Sequence, residues 1–96
     1  MKTPDEIKWI LGNNKPELVR KYKIKQLGLF GSYSRGDNTG GSDIDILVEF
    51  SEPVGLEFVD LGNELESLLE MKVDLVSRGG IKLKYWKYIE PEVIYV

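Results

Sequence analysis

Two aspartates separated by one residue, Asp43 and Asp45, are the first candidates for chemistry in this sequence. They begin the segment Asp43–Phe50, in which apolar residues recur at every second position, as in a β-strand. Alternate residues of a strand face the same side, so the two carboxylates would project together, about 7 Å apart. Carboxylates this close repel each other unless a cation or proton intervenes. Because hard oxygen ligands suit Mg²⁺ or Mn²⁺, the pair predicts a divalent metal site that also binds substrate phosphates.

Two further features would complete such a site. Gly31 and Ser32 directly follow a predicted strand, where a glycine lets the backbone approach a ligand and N–H groups with a serine hydroxyl can hold phosphate oxygens. Asp74 lies in the apolar run Val73–Val76, and an antiparallel or mixed sheet could place it beside the other two aspartates. Three convergent carboxylates can hold two metal ions, which clamp the attacking and leaving oxygens of an in-line phosphoryl displacement.

The composition narrows the chemistry further. The 96 residues include neither Cys nor His, which excludes disulfides, thiolate or imidazole metal sites and a Ser-His-Asp triad. The formal net charge of −3 at pH 7 does not favour binding to the phosphates of nucleic acid. No stretch approaches the roughly 20 apolar residues of a membrane span. We therefore expect a cytoplasmic protein that makes no direct contact with nucleic acid or membrane. If it is an enzyme, its reaction would use carboxylates, hydroxyls, other polar groups and bound metal.

Seven elements are expected to position these residues within one domain spanning residues 1–96. In chain order they are helices over 3–12 and 14–22, strands over 24–30 and 43–50, a helix over 58–69, a strand over 72–77 and a helix over 81–89. Thr3 and Glu6 form a capping box, Gly12 ends the first helix, and Pro16 opens the second. A helical turn over 32–35 and an apolar tail over 93–96 are also expected. The order α-α-β-β-α-β-α predicts an α/β fold, a small mixed sheet with helices packed on it.

The motifs together resemble a known family. The segment Leu29-Phe30-Gly31-Ser32-Tyr33-Ser34-Arg35-Gly36, followed by Ser42-Asp43-Ile44-Asp45-Ile46-Leu47-Val48, closely resembles the minimal nucleotidyltransferases of the polymerase-β-like superfamily. The resemblance covers nearly the whole chain, including Val73–Val76 and the tail Ile94–Val96. It implies a polymerase-β-like nucleotidyltransferase fold and a reaction in which a nucleoside monophosphate, AMP from ATP, moves onto an acceptor hydroxyl.

The resemblance also implies a role for each matching residue. The catalytic and metal-binding carboxylates would be Asp43, Asp45 and Asp74, and the nucleotide-binding residues would be Gly31, Ser32 and Arg35. Asp74 would complete the second metal site and help to activate the acceptor hydroxyl. Gly31 and Ser32 would hold the β- and γ-phosphates, and Arg35 would steady the triphosphate or the loop. The implied cofactor is Mg²⁺, as two ions, with Mn²⁺ as an alternative, and the implied substrate is ATP.

The same resemblance implies a protein partner. Minimal nucleotidyltransferases are commonly encoded with a helical HEPN-type ribonuclease toxin, which they silence by transferring AMP to one of its tyrosines. This chain would then be the antitoxin of a HEPN toxin. Two other classes of function stay open: a non-catalytic antitoxin that masks its partner by binding alone, and nucleotidyl transfer to a small molecule or to RNA. The small size and acidic charge count against the latter.

Each feature also has a purely structural interpretation. The aspartate pair could be solvated carboxylates on an exposed sheet face, and Asp74 could be a charge on an edge strand. Ser32 could simply cap a helix, and Arg35 could pair with Asp37 or Glu49 on the surface. The last helix carries a group of aromatic and basic residues: Tyr85, Trp86, Tyr88, Lys82, Lys84 and Lys87. For this group, core packing with a solvated basic face is favoured over the stacking of nucleic-acid bases.

Overall fold

The structure of the protein is a computed structural model that describes residues 2–96. These residues form α1 (Pro4–Tyr22), β1 (Ile24–Phe30), α2 (Ser32–Arg35), β2 (Ile44–Phe50), α3 (Glu57–Leu69), β3 (Val73–Ser77), α4 (Leu83–Ile89) and β4 (Ile94–Tyr95). Two 3₁₀ turns, Arg78–Gly80 and Glu90–Glu92, flank α4. Within this part of the chain, no helix combines the length and the apolar character that crossing a membrane requires.

The four strands form one mixed sheet in the order β3-β2-β1-β4. β1 pairs antiparallel with both β2 and β4, whereas β2 and β3 are parallel. A parallel pair needs a crossover connection, and α3 provides it between β2 and β3. The predicted α/β class, with a small mixed sheet and packed helices, is therefore confirmed.

The core lies on one face of this sheet. Ile44, Ile46 and Val48 of β2 are fully buried and belong to a single apolar cluster with residues of β1 and of three helices, α1, α2 and α3. From α1 the cluster includes Ile7, Leu11, Leu18 and Tyr22, and from α3 it includes Leu61, Leu65 and Leu69. Because strand side chains alternate, the residues between the buried isoleucines must face the opposite side of the sheet. That opposite face carries the candidate site.

The first helix corrects a prediction. The sequence predicted two helices separated at Gly12, but α1 runs without a break from Pro4 to Tyr22, with Gly12 and Pro16 inside it. The capping box of Thr3 and Glu6 is confirmed. The buried residues of α1 lie on one stripe along its whole length, so burial of that stripe outweighs the two breakers.

The C-terminal tail corrects a second prediction. It was expected to be only an apolar tail, whereas Ile94 and Tyr95 form β4 and pair with Leu29 and Gly28 of β1. A Cβ atom on Gly28 would lie 2.6 Å from Val93 Cγ1, so the glycine permits this close packing. The helical turn expected at residues 32–35 is present as α2. The observed order α-β-α-β-α-β-α-β thus differs from the predicted one in its first helices and its last strand.

The last helix differs from expectation in how it is buried. No residue of α4 is buried, and Tyr85 and Tyr88 are exposed. Their predicted core packing is therefore wrong, because α4 lies outside the layer of α1 and α3 that covers the apolar face of the sheet. The expected basic face is confirmed, since its three lysines (Lys82, Lys84 and Lys87) are exposed.

Candidate active site

Two of the three candidate aspartates lie side by side on the open face of the sheet. Asp45 of β2 is the register partner of Asp74 of β3, each the second residue of its strand. The flanking pairs, Ile44 with Val73 and Ile46 with Leu75, belong to the core or pack against it. Their burial fixes the register, because a shift by one residue would turn every side chain to the other face. Adjacent strands lie about 4.8 Å apart, which brings the two carboxylates together.

The electrostatics of Asp45 show that the three carboxylates interact. Burial, followed by the charge of the neighbouring Asp74 and a hydrogen bond with it, raises the pKa of Asp45 from 3.8 to about 6. Asp43, exposed and directly before β2, adds a smaller rise, while the positive charge of Arg35 acts in the opposite direction. A bound cation would relieve this repulsion.

Gly31 brings the candidate phosphate loop against the aspartates. It precedes α2 with a φ of 73°, and a Cβ atom at this position would lie 2.1 Å from Asp45 Oδ2. Phe30, the residue before it, is the register partner of Asp45. Only glycine combines the positive φ with this close approach, so the residue type at position 31 follows from the position of Asp45.

Ser32 is the first residue of α2 and is half-buried. The next residue, Tyr33, is 1% exposed and belongs to the core cluster, which anchors this short helix to the sheet. The first N–H groups of a helix have no partner within it. Ser32 therefore offers a hydroxyl, next to free helix N–H groups, immediately beside the Gly31–Asp45 contact.

Arg35 ends α2 and is held by two carboxylates. Its Nε lies 3.0 Å from Asp37 Oδ2, and its Nη1 lies 3.3 Å from Glu92 Oε2. The predicted pairing with Asp37 is confirmed, whereas the alternative with Glu49 is not, since Glu49 lies 3.9 Å from Lys25 instead. The guanidinium is thereby fixed next to the candidate phosphate loop.

Glu92 is a residue of this region that the sequence did not indicate. Besides its ion pair with Arg35, its Oε1 accepts a hydrogen bond of 3.1 Å from the backbone N–H of Gly31. Its carbonyl accepts another from the Ser34 hydroxyl. The tail thus ties the loop in place from 61 positions away, a separation at which no local pattern links the two segments.

The donor set fits a hard divalent cation. Asp43, Asp45 and Asp74 provide carboxylate oxygens from two adjacent strands and the loop before β2, which are the ligands that Mg²⁺ and Mn²⁺ prefer. Among residues 2–96, no three carboxylate, imidazole or thiol side chains are already arranged as a metal site. The three aspartates would therefore have to rotate toward an ion in order to bind it.

Comparisons with known proteins identify the family. The family model described as nucleotidyltransferase domain matches residues 13–95. The protein adenylyltransferase MntA of Thermococcus cleftensis is 43% identical over 97 residues, covering 100% of this chain and 98% of that protein. A chain from the complex of a tri-AMPylated Shewanella oneidensis HEPN toxin with an MNT antitoxin has a TM-score of 0.66 at 25% identity, covering 92% of this chain and 70% of that one. A toxin–antitoxin chain solved with AMP-PNP has a TM-score of 0.61 at 34% identity, covering 73% and 59%.

The family match includes all six candidate residues of the site. The MntA relative aligns over almost its entire length, and the solved neighbours share the fold. This chain therefore belongs to the nucleotidyltransferase domain family, as a minimal nucleotidyltransferase.

Proposed function

We propose that this nucleotidyltransferase moves AMP from ATP onto a tyrosine hydroxyl of a HEPN toxin, with Mg²⁺ as its cofactor, and so acts as the antitoxin of that toxin. The observation that carries the proposal is the contact between three elements: Asp45 lies beside Asp74 across two strands and against Gly31 of the phosphate loop. The arrangement would combine a cation site with an anion site at one point on the open face.

The metal would be held by the carboxylates of Asp43, Asp45 and Asp74. Two Mg²⁺ ions bound there would neutralise charge on the phosphates during in-line displacement, and Mn²⁺ suits the same oxygen donors. The pKa of Asp45, raised first by burial and then by the charge of Asp74, supports this role, because a bound cation would offset both effects.

The remaining residues would hold the leaving group. Gly31 permits the backbone to approach the phosphates, and Ser32 offers its hydroxyl together with the first N–H groups of α2. Arg35 contributes positive charge from a position that Asp37 and Glu92 fix. Together these groups would orient the β- and γ-phosphates so that pyrophosphate departs in a fixed direction.

Asp74 would face the acceptor. It is exposed and lies on the outermost strand, beside Asp45. In the proposed reaction the tyrosine oxygen forms a bond to the α-phosphorus as the bond to the bridging oxygen of the β-phosphate breaks. Asp74 would receive the hydroxyl proton, and pyrophosphate would leave with the electron pair of the broken bond.

The identity of donor, acceptor and partner draws support from the relatives. One is named a protein adenylyltransferase, one solved complex pairs an MNT antitoxin with an AMPylated HEPN toxin, and another toxin–antitoxin structure contains the ATP analogue AMP-PNP. These properties belong to those proteins and motivate the same assignment here.

Co-expression with the HEPN toxin of the same genome, followed by intact-mass spectrometry, tests the proposal. We expect the toxin to gain the mass of one or more AMP units, and the gain to vanish with the Asp43→Asn/Asp45→Asn variant. A toxin silenced without any change in mass would instead identify an antitoxin that acts by binding alone. Transfer only to small hydroxyl compounds or RNA would assign a different acceptor.

Calorimetric titration of ATP separates nucleotide binding from transfer. We expect heat of binding in the presence of Mg²⁺, no binding in the presence of a chelator, and no binding by the same double variant. Equal binding with and without metal would contradict the proposed role of the aspartates.

A further inference from the structure

A cleft opens at the carboxyl ends of the two parallel strands. It has a volume of about 920 Å³ and is lined by residues 49–55, Phe58 and residues 77–79. These belong to the end of β2, the loop into α3, the first turns of α3 and the turn after β3. None of the three aspartates lines it, so the cleft is separate from the candidate metal site although both lie on the same two strands.

The cleft lies at a defined distance from the aspartates. Asp45 and Asp74 are near the start of β2 and β3, whereas Arg78 follows β3 directly. Four residues of extended chain from Asp74 to Arg78 span about 13 Å. A polypeptide lying along β3 would therefore reach from the site to the cleft with about four of its own residues.

In-line chemistry assigns the two sides of the aspartates to different groups. The candidate phosphate loop at Gly31 lies at the amino end of β2, since Phe30 pairs with Asp45, the second residue of that strand. Attacking and leaving oxygens occupy opposite sides of the reacting phosphorus. With pyrophosphate held by the loop and the in-line axis directed along the strands, the acceptor hydroxyl would approach from the side on which β2 and β3 continue, toward the cleft.

The lining shows what the cleft would accept. The rings of Phe50 and Phe58 meet edge to face, with centroids 6.4 Å apart, and Val54 adds to this apolar lining. The guanidinium of Arg78 lies 4.1 Å from the ring centroid of Trp86 and makes no ion pair with any carboxylate of residues 2–96. An aromatic or aliphatic side chain fits the first feature, and a carboxylate fits the second.

The acidic residues of the rim do not compete for Arg78. Glu52 Oε1 lies 2.8 Å from Lys23 Nζ, and Glu49 Oε2 lies 3.9 Å from Lys25 Nζ. Each of these two carboxylates thus pairs with a lysine, so the guanidinium of Arg78 remains available to a carboxylate of a ligand.

We propose that this cleft binds the segment of the protein acceptor next to the modified hydroxyl, an extended stretch with a bulky apolar side chain and a carboxylate about four residues away. The inference rests on the proposed function and extends it by naming which side chains of the acceptor the enzyme recognises besides the modified hydroxyl. At the carboxyl ends of the strands the segment would turn toward the core side of the sheet, where its apolar side chain packs on Phe50 and Phe58. Its carboxylate pairs with Arg78.

Synthetic acceptors test the assignment. The probes are N-acetyltyrosinamide, peptides with Tyr and Phe-Glu separated by three Gly or Ser residues in either order, and matched peptides with Ala-Gln in place of Phe-Glu. With ATP and Mg²⁺, we expect kcat/KM for the better Phe-Glu peptide to exceed that for its Ala-Gln partner by about tenfold, the effect of one added charge-assisted contact.

Charge variants locate the recognition. Arg78→Glu and Arg78→Ala should reduce the ratio between the two peptides to near one, mainly through KM. Lys84→Glu makes the same charge reversal on exposed α4 outside the cleft and should preserve the ratio. All three variants should bind ATP as the wild type does, with circular dichroism confirming that each is folded.

Fluorescence provides a readout that needs no turnover. The chain has two tryptophans, and Trp9→Phe leaves Trp86, which stacks on Arg78, as the reporter. A Phe-Glu peptide with its Tyr replaced by Phe should produce a saturable change in Trp86 emission, and the Ala-Gln peptide should not.

The outcomes separate the two proposals. Equal kcat/KM for both peptides overturns the cleft assignment while leaving tyrosine transfer in place. Weaker ATP binding by Arg78→Glu also overturns it, because the nucleoside would then occupy the cleft. No transfer to any acceptor, including N-acetyltyrosinamide, contradicts the proposed function, and absence of a saturable Trp86 signal then overturns the cleft assignment independently.

Discussion

The two faces of β2 present opposite chemistry from consecutive residues. Ile44, Ile46 and Val48 are fully buried and pack with α1 and α3, whereas Asp45, in the same strand, lies beside Asp74 and against Gly31 of the candidate phosphate loop. The buried face lowers the free energy of the folded state by removing apolar surface from water. The open face raises it, since it brings carboxylates together without a counter-charge of equal strength. In this fold, neighbouring residues of one strand therefore serve different purposes: the buried ones stabilise the fold and the one between them belongs to the proposed active site.

The largest effect is expected on the open face, from Asp74→Asn. The substitution preserves shape but removes the charge that in the proposed reaction would face the acceptor, so we expect at least a 1,000-fold loss of AMP transfer, or about 4 kcal/mol of transition-state stabilisation. Stability should change by less than about 0.5 kcal/mol, because the side chain is exposed. The measurement is initial rate of transfer to the toxin, alongside urea unfolding.

Asp60→Asn is the matched control, because Asp60 is an exposed aspartate of α3 outside the site. It should transfer AMP at the rate of the wild type. A similar loss in both variants would trace the effect to net charge rather than to the position of Asp74.

The next largest effect is expected on the buried face, from Leu65→Ala. Leu65 is 0% exposed in the core cluster, and truncating a buried leucine typically lowers the free energy of unfolding by about 2–5 kcal/mol. Leu56→Ala, at a position 78% exposed, should lower it by less than about 0.5 kcal/mol. Urea unfolding of both variants measures the difference, and equal losses would contradict the assignment of the core.

A substitution at Gly31, which lies against Asp45, should affect both the stability of the fold and the binding of nucleotide. In Gly31→Ala the new Cβ meets Asp45 Oδ2 at 2.1 Å and the backbone keeps a φ of 73°, so we expect about 2 kcal/mol of destabilisation and loss of metal-dependent ATP binding. Calorimetry and urea unfolding report the two effects separately.

Gly36→Ala isolates the backbone contribution. Gly36 also has a positive φ, 82°, but nothing lies within 4 Å of its Cβ position. It should lose about 1 kcal/mol from backbone strain and retain ATP binding. If Gly36→Ala abolished ATP binding as well, the contact with Asp45 would not explain the behaviour of Gly31→Ala.

The sequence predicted the elements whose pattern is local. Alternation predicted a strand over 43–50, observed as β2 from Ile44 to Phe50, and apolar spacing predicted α3, since each buries one continuous face. Pro16 and Gly12 misled the prediction of α1, because tertiary burial outweighs local preference. β4 has two residues, too few for any periodicity, and it exists through its pairing with β1.

For the candidate site, too, local features could be predicted and contacts between distant segments could not. The spacing of Asp43 and Asp45 indicated a carboxylate pair, but the register of Asp74 opposite Asp45 depends on how two separate strands align. No sequence pattern indicates Glu92, because its contacts with Gly31 and Arg35 join segments that lie far apart in the chain. Contacts between distant segments depend on packing, which a single sequence does not display.

The smallest effect is expected from Asp45→Asn, which should stabilise the protein in metal-free buffer. Such a gain would show that the carboxylates of the open face destabilise the folded state. The pKa of Asp45 is raised from 3.8 in its ordinary state to about 6 in the fold, chiefly by burial and by Asp74. The folded state therefore binds more protons than the unfolded state between these values, and the stability contributed by the protonated carboxyl is lost as pH rises through about 6. The full shift would correspond to about 3 kcal/mol, and contact with water around the half-buried group reduces the expected gain to about 1 kcal/mol.

Urea unfolding from pH 3.5 to 7.5 with a chelator present measures this gain. The variant and the wild type should be equally stable below about pH 4, where both side chains are neutral, and should diverge up to about pH 6. A gain of this size would raise the melting temperature by about 5 °C. Mg²⁺ should then raise the stability of the wild type more than that of the variant, because only the wild type keeps the carboxylate that would bind it. A variant less stable than the wild type at pH 7 in the chelator would show that Asp45 supports the fold, and the separation of stability from chemistry along β2 would not hold.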